Sequence, residues 1–208
     1  MLSARDALER LRQGNRRFAL SLSTSGETPS HVRRAELIQG QEPFAIVLGC
    51  SDSRVPAEMV FDQGLGDLFV IRVAGNIVAP SQVGSVEFAA ARFGTRLVVV
   101  LGHSSCGAIV ATLEELRGTP QAHSKNLRSI VDRVRPAVEN LFEGSRPENP
   151  GDLLDRAVRA NIVASANQLR HGSPLLEQLI RDDGLVVVGA EYSLETGVVD
   201  VFEGAGAL

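Results

Sequence analysis

The sequence predicts an α/β fold: a central, mostly parallel sheet of four strands with an antiparallel edge strand, helices on both faces, and an N-terminal helical extension. Three observations carry this. Four short runs, "FAIVLG" from Phe44, "LFVIRV" from Leu68, "LVVVLG" from Leu97 and "LVVVGA" from Leu185, are rich in Val and Ile and apolar on both faces. Strands of a parallel sheet read this way when helices cover both sides. The stretches between them carry helical patterning, and a repeated strand-then-helix order calls for right-handed crossovers. Finally, "GVVDVF" alternates and follows the fourth run across the turn Glu195-Thr196-Gly197, so it reads as an antiparallel hairpin partner.

The elements follow in order. Ser3 and Asp6 form a loose capping box, and Ala7, Leu8, Leu11 and Phe18 recur at helical spacing, so the chain opens with an amphipathic helix. The Ser/Thr-rich "SLSTSGETPS" breaks it, and a second short helix over 32–38 stops at Gly40. Helices are predicted at 56–63, 81–93 and 106–116. Between 126 and 180 there is only helical patterning, broken by "GSRPENPG". One domain over 1–208 is expected, with 1–40 as the helical extension and 44–208 as the α/β core carrying a helical insertion at about 124–182.

Composition narrows the function. Of 208 residues, 44% are hydrophobic and 22% charged, which is ordinary globular usage. The net charge of -4 and the lack of a long Lys/Arg cluster argue against nucleic acid as a partner. No run reaches the roughly 20 apolar residues that span a bilayer. The N-terminus alternates charged and apolar residues, unlike a secretory signal, so no membrane association and a cytoplasmic location are expected. Two cysteines far apart, Cys50 and Cys106, make no disulfide framework.

Chemistry concentrates in two segments that echo each other. "FAIVLGCSDSR" and "VVVLGHSSCG" each run an apolar strand into Gly and then into metal-type ligands. Parallel strands present their carboxyl ends on one rim, where α/β proteins place their sites. If the two strands are neighbours, Cys50, Asp52, His103 and Cys106 converge. Two soft sulfurs and an imidazole suit Zn2+ rather than Mg2+ or Ca2+, with the fourth position taken by Asp52 or by water. Arg54, two residues beyond Asp52, can hold that carboxylate bidentately and off the metal, leaving an open site; Asp52 on the zinc would close it. Singly, each cysteine reads as a buried small hydrophobe, and four ligands could make a purely structural zinc. The joint placement beside Asp-x-Arg and after His-x-x favours a catalytic centre. His31, His123 and His171 lie in polar, loop-like contexts and read as surface histidines, and Gly64, Gly66 and Gly75 read as turn residues without a dinucleotide fingerprint.

"CSDSR" followed by "GHSSCG", with "FDQGLGDLFVIRVAGN" between them, resembles the beta-class carbonic anhydrases, closely from Phe44 to Leu116 and loosely to "GAEYSLETGVVDV". The resemblance implies Zn2+ held by Cys50, His103 and Cys106, an Asp52–Arg54 dyad, and reversible hydration of CO2 to bicarbonate through a zinc-bound hydroxide. It further implies substrate contact by Gln41 from a facing subunit of a homodimer or homotetramer, and a pocket lined by Phe69, Ala74, Phe88 and Gly107. At Ala74 the family often has Val and at Phe88 often Tyr, so the hydroxyl is missing here. One branch carries a regulatory bicarbonate site of Trp, Arg and Tyr. Arg72 and Tyr192 match it, but Val47 stands in place of the Trp, so that site is expected to be absent. Rival readings are hydrolysis of carbon disulfide or carbonyl sulfide at the same ligands, and a non-catalytic zinc protein that senses bicarbonate.

Overall fold

The structure, a computed structural model, describes residues 2–23, 30–118, 124–143 and 149–207. Five strands, β1 (Ala45–Gly49), β2 (Leu68–Arg72), β3 (Leu97–His103), β4 (Val186–Tyr192) and β5 (Val199–Glu203), form one sheet in the order β2-β1-β3-β4-β5. The pairs β1–β2, β1–β3 and β3–β4 are parallel, and β4–β5 is antiparallel. The four apolar runs and the hairpin partner are thus the five strands, and the expected architecture is the observed one.

Side-chain alternation explains why both faces are covered. Ile46, Leu48, Val98, Val100 and Val187 share one buried cluster, while Ala45, Val47, Leu97, Val99, Leu101, Val188 and Ala190 share another. Neighbours along each strand point to opposite sides, so every strand residue needs a helix above or below it. The first cluster is roofed by α4 (Pro80–Arg92), α5 (Gly107–Leu116), α6 (Lys125–Val138), α8 (Pro150–His171) and α9 (Pro174–Asp182). The second is roofed by α1 (Ala4–Ala19) and α3 (Ala57–Val60). Two shorter helices, α2 (Ser30–Glu36) and α7 (Asn140–Glu143), flank these layers, and Leu141 of α7 packs at the margin of the first cluster.

Helix α1 starts as its sequence suggests: the Asp6 N–H donates to the Ser3 hydroxyl oxygen at 3.1 Å, and that hydroxyl donates to the Asp6 carboxylate at 2.6 Å. Its apolar stripe, Ala4, Ala7, Leu8 and Leu11, is buried on the sheet, and full burial of a leucine contributes about 1.5–3 kcal/mol. Asn15 then fastens the helix to two other segments. Its amide nitrogen donates to the carbonyls of Val60 (3.1 Å) and Gly197 (2.9 Å), and its oxygen accepts from the Val199 N–H (2.8 Å).

Several boundaries differ from those the sequence predicts. The helix expected over 56–63 is one turn, α3, because Asp62 takes φ 47° and leaves the right-handed region directly after the Phe61 cap. The helix expected over 32–38 starts at Ser30 and passes into a 3-10 turn, Leu37–Gln39, whose end is closed by the Gly40 N–H on the Leu37 carbonyl. Strand β3 runs on through His103, since β4 extends beside it and pairs His103 with Tyr192. The breaks expected at "SLSTSGETPS" and "GSRPENPG" fall largely on 24–29 and 144–148, outside the described residues. Among the described residues no helix is long and apolar enough to cross a membrane.

Two glycines let Ile162 of helix α8 approach the sheet backbone closely. A Cβ at Gly102 on β3 would come within 2.5 Å of Ile162 Cδ1, and one at Gly189 on β4 within 2.8 Å of Ile162 Cγ2. Ile162, itself fully buried, fills the gap that the missing side chains leave. Gly102→Ala is therefore expected to destabilise the protein by about 1–3 kcal/mol through overpacking. Denaturant unfolding of Gly102→Ala, Ile162→Val and the double variant checks this: the double variant should recover part of the loss, and strictly additive effects would show that the two groups do not compete for space.

Candidate metal centre

The site is assembled by one strand pairing. β1 and β3 are adjacent and parallel, with Gly49 opposite Leu101, so the chain leaves β1 into Cys50 where β3 is reaching Gly102 and His103. Cys106 follows as the cap of α5. The two Sγ atoms lie 4.0 Å apart. Cys50, His103 and Cys106 are all buried, and their ligand atoms lie within 4.8 Å of one another, so the group can hold a metal ion.

The imidazole is oriented for that task. His103 Nδ1 lies 2.9 Å from the Ser104 carbonyl oxygen, which can only accept, so the ring proton sits on Nδ1. This leaves the Nε2 lone pair free, and Nε2 is buried without a hydrogen-bond partner. A buried polar atom without a partner is costly, and a cation between it and the sulfurs would satisfy it.

The two thiols divide their acidity. The hydrogen bond from Cys106 draws the Cys50 thiol far below its ordinary value, against the opposing effect of burial, with further help from His103 and the Gly75 N–H. Cys106, beside the Cys50 thiolate and buried, is pushed far up, although the backbone N–H groups of Ile109 and Ala108 act the other way. The pair thus releases one proton readily and resists losing the second. Burial would lower the pKa of His103, but the neighbouring Cys50 sulfur and its charge outweigh it and raise the imidazole. A divalent cation inverts this logic by stabilising both thiolates and the neutral imidazole together.

Beside this group stands an ion pair. Arg54 grips Asp52 with Nε on Oδ1 (2.9 Å) and Nη2 on Oδ2 (2.7 Å), and the Arg54 N–H adds a bond to Oδ1 at 3.0 Å. The side-chain hydrogen bonds from Arg54 hold the Asp52 carboxyl well below the usual carboxylate range. Its Oδ2 is 3.8 Å from His103 Nε2, so the charge borders the ligand cluster.

Two contacts were not legible from the motif. Arg72 donates from Nε to the Cys50 carbonyl (3.0 Å) and from Nη2 to the Asp52 carbonyl (2.6 Å), fixing the backbone of the Cys-x-Asp loop. Gly75, read only as a turn residue, points its N–H at Cys50 Sγ at 3.4 Å. Spacing gives no hint of either, because both donors come from the far end of β2 and the turn after it.

The remaining candidates are dispersed. Phe69 on β2 and Phe88 on α4 meet with ring centroids 6.2 Å apart, and Phe93, absent from the sequence reading, packs against both. Phe88 is 53% exposed in the single chain. Ala74 directly precedes Gly75 in a 3-10 turn, Gly107 is the exposed first residue of α5, and Gln41 is exposed on the loop before β1. His31 and His171 are exposed, and His123 lies outside the described residues. Val47 is fully buried beneath the sheet, Tyr192 is buried, and Arg72 is committed to the two carbonyls.

The family model described as carbonic anhydrase matches residues 45–199. Carbonic anhydrase 2 of Mycobacterium tuberculosis (strain ATCC 25618 / H37Rv) is 37% identical over 193 residues, covering 92% of this chain and 89% of the relative. A solved structure of the beta-carbonic anhydrase CcaA superposes with a TM-score of 0.72 at 28% identity, covering 98% of this chain and 91% of that one. The chain belongs to the beta-carbonic anhydrase family. A carbonic anhydrase of Mycolicibacterium smegmatis is likewise 37% identical over 200 residues, covering 94% of this chain and 91% of the relative. A tetrameric beta-carbonic anhydrase of Sordaria macrospora superposes with a TM-score of 0.73 at 25% identity, covering 81% of this chain and 85% of that chain. In this carbonic anhydrase the strand pairing β1–β3 brings the two segments of the sequence motif to one point.

The ion pair makes a prediction with a definite sign. Because Arg54 depresses the folded-state pKa of Asp52, the pair's contribution is present above the ordinary aspartate range and is lost only as pH falls through the depressed value. In Arg54→Gln, the Asp52 carboxyl should titrate higher, nearer the ordinary aspartate value of about 3.9. Titration of 13C-labelled Asp52 by NMR reads this directly. An unmoved titration would assign the depression to some other group.

Proposed function

We propose that Cys50, His103 and Cys106 hold Zn2+ and that the chain catalyses reversible hydration of CO2 to bicarbonate and a proton. The observation that carries the reading is the ligand geometry. Around a tetrahedral zinc with Zn–S bonds of about 2.3 Å, two sulfurs sit roughly 3.8 Å apart, and here they are 4.0 Å apart with an unpartnered imidazole nitrogen beside them. Two thiolates and one neutral imidazole suit zinc in preference to the oxygen-seeking Mg2+ or Ca2+. A zinc ion held by these three residues would supply the acidification of water toward neutral pH that hydration of CO2 requires.

The chain's own residues supply the rest. Asp52 stays ionised at neutral pH because Arg54 neutralises it, and an ionised carboxylate only accepts hydrogen bonds. It therefore selects and orients a proton-bearing oxygen next to the ligands. Arg54 also holds both carboxylate oxygens, so Asp52 would not itself be drawn in as a ligand of a bound ion. Arg72 holds the Cys50 and Asp52 carbonyls, so thiolate and carboxylate keep one relative position through turnover. Gln41 orients a substrate oxygen from a facing subunit, and Phe69, Ala74, Phe88 and Gly107 line an apolar space for CO2. Phe88, without a hydroxyl, offers only ring surface. The product proton passes to solvent.

A homo-oligomer is part of the proposal. Ile38, Met59 and Phe88 are exposed in the single chain, and a second copy that covers apolar side chains of this size gains burial energy. The tetrameric Sordaria macrospora structure supports the same reading. A location in the cytoplasm is consistent with two free cysteines.

The test combines metal analysis with stopped-flow CO2 hydration. The natural chain should carry one zinc per chain and hydrate CO2 faster than it hydrolyses carbonyl sulfide or carbon disulfide. Cys106→Ser should lose zinc and activity together, whereas Asp52→Asn should keep zinc and lose most turnover, about 100-fold or more. A chain free of transition metal ends the proposal, and an Asp52→Asn enzyme with full activity refutes the role given to the dyad.

A further inference from the structure

We infer that Asn161, on helix α8, is a positioning residue for the metal centre, acting through the backbone of Gly75 on the Cys50 thiolate. The inference rests on the zinc reading above and adds a residue to it that lies outside both ligand motifs.

The chain of contacts is short and dry. Asn161 Nδ2 donates to the Gly75 carbonyl at 2.8 Å, and the Gly75 N–H donates to Cys50 Sγ at 3.4 Å. Asn161 is 2% exposed, and Gly75 and Cys50 are also buried. Both bonds therefore run without competition from water, where a hydrogen bond is electrostatically stronger. The N–H helps make Cys50 the more acidic thiol of the pair, although the geometry stands without that.

The backbone between these bonds does not hold itself. Gly75 sits at φ 70°, ψ 17°, and Asn76 at φ 43°, so two consecutive residues occupy the left-handed region. Asn tolerates that conformation better than most residues, but two in succession persist only where the surroundings impose them. At the near end, the Val73 N–H is tied to the Gly49 carbonyl (3.1 Å) and the Asn76 N–H to the Val73 carbonyl (3.0 Å). At the far side, Asn161 takes the Gly75 carbonyl. A Cβ on Gly75 would meet Ala108 Cβ at 3.0 Å, so the turn is also pressed against α5. Without Asn161 the buried Gly75 carbonyl loses its side-chain donor, and a change in the Gly75 dihedrals can then swing the preceding peptide, which carries the Gly75 N–H, away from sulfur.

An N–H···S bond draws density from a thiolate without replacing it as a ligand. Outer contacts of this kind orient a metal ligand and tune its donor strength, and their removal typically costs about 10- to 100-fold in metal affinity or activity. The assigned role is to aim Cys50 Sγ.

The experiment uses the full chain loaded with 113Cd2+ as a spin-active substitute for zinc. In the wild-type protein, NMR should show scalar coupling between the Gly75 amide proton and 113Cd, transmitted across the sulfur. It should also show coupling between the Asn161 side-chain nitrogen and the Gly75 carbonyl carbon. Absence of either coupling in the loaded protein overturns the inference and needs no variant that might misfold. Asn161→Leu should lose the Gly75–cadmium coupling and bind zinc about tenfold or more weakly in chelator competition. Ser165→Ala, a buried polar change one helical turn along α8, should alter neither, which separates positioning from general loosening of the helix. Asn161→Leu with unchanged coupling and unchanged zinc affinity also overturns it. A chain that binds neither metal defeats the zinc reading and this inference with it, whereas a loaded protein lacking a coupling defeats this inference alone.

Discussion

The parallel pairing of β1 with β3 is the constraint on which the rest depends. In sequence, the two ligand-bearing segments are half a hundred residues apart, and neither is a site alone. Setting Gly49 against Leu101 puts Cys50 beside the end of β3 and lets α5 start with Cys106 within 4.0 Å of it. The register is enforced by burial on both faces. Ile46 and Leu48 belong to one cluster, Ala45 and Val47 to the other, and Cys50 continues the first. A slip of one residue would exchange the two sets and carry the first sulfur out of line with the second. The pattern that folds the sheet thus also builds the ligand set.

Electrostatics then makes that set selective. Two buried thiols with sulfurs 4.0 Å apart take one negative charge more readily than two, because the second is repelled by the first in a low dielectric. A dication would stabilise both thiolates together. Asp52 is kept out of that exchange because its charge is already matched by a bidentate guanidinium. The site therefore separates its carboxylate from its ligands by pairing, although only 3.8 Å divides Asp52 Oδ2 from His103 Nε2.

How much of this the sequence discloses depends on the range of each interaction. The strands are readable because burial on both faces demands unbroken Val and Ile, and the Cys50–His103–Cys106 cluster because its members lie at or shortly beyond the ends of two such runs. Alternation also foretold the hairpin of β4 and β5. The helix read over 56–63 is too long by half: its apolar spacing ends at Phe61, and Asp62 turns the backbone there, which no spacing reports. Arg72 was matched to a regulatory site, while in the structure its donors are spent on the Cys50 and Asp52 carbonyls. Asn15 and Asn161 look like ordinary helix residues in the sequence. Their partners are backbone carbonyls 45, 182 and 86 positions away, and a carbonyl carries no residue-type signal.

Helix α8 shows how packing and chemistry become one problem. Ile162 sinks into the gap left by Gly102 and Gly189, and this sets how deep the helix sits on β3 and β4. The preceding residue, Asn161, reaches the Gly75 carbonyl from that depth. A helix held further out by even one methyl group would keep its apolar contacts in part, since dispersion falls gradually with distance. A 2.8 Å hydrogen bond tolerates much less. The fit of one isoleucine against two glycines therefore bears on the Asn161–Gly75 hydrogen bond far more sharply than on the burial energy of the helix itself, and the steric match in the core serves that bond as much as the fold.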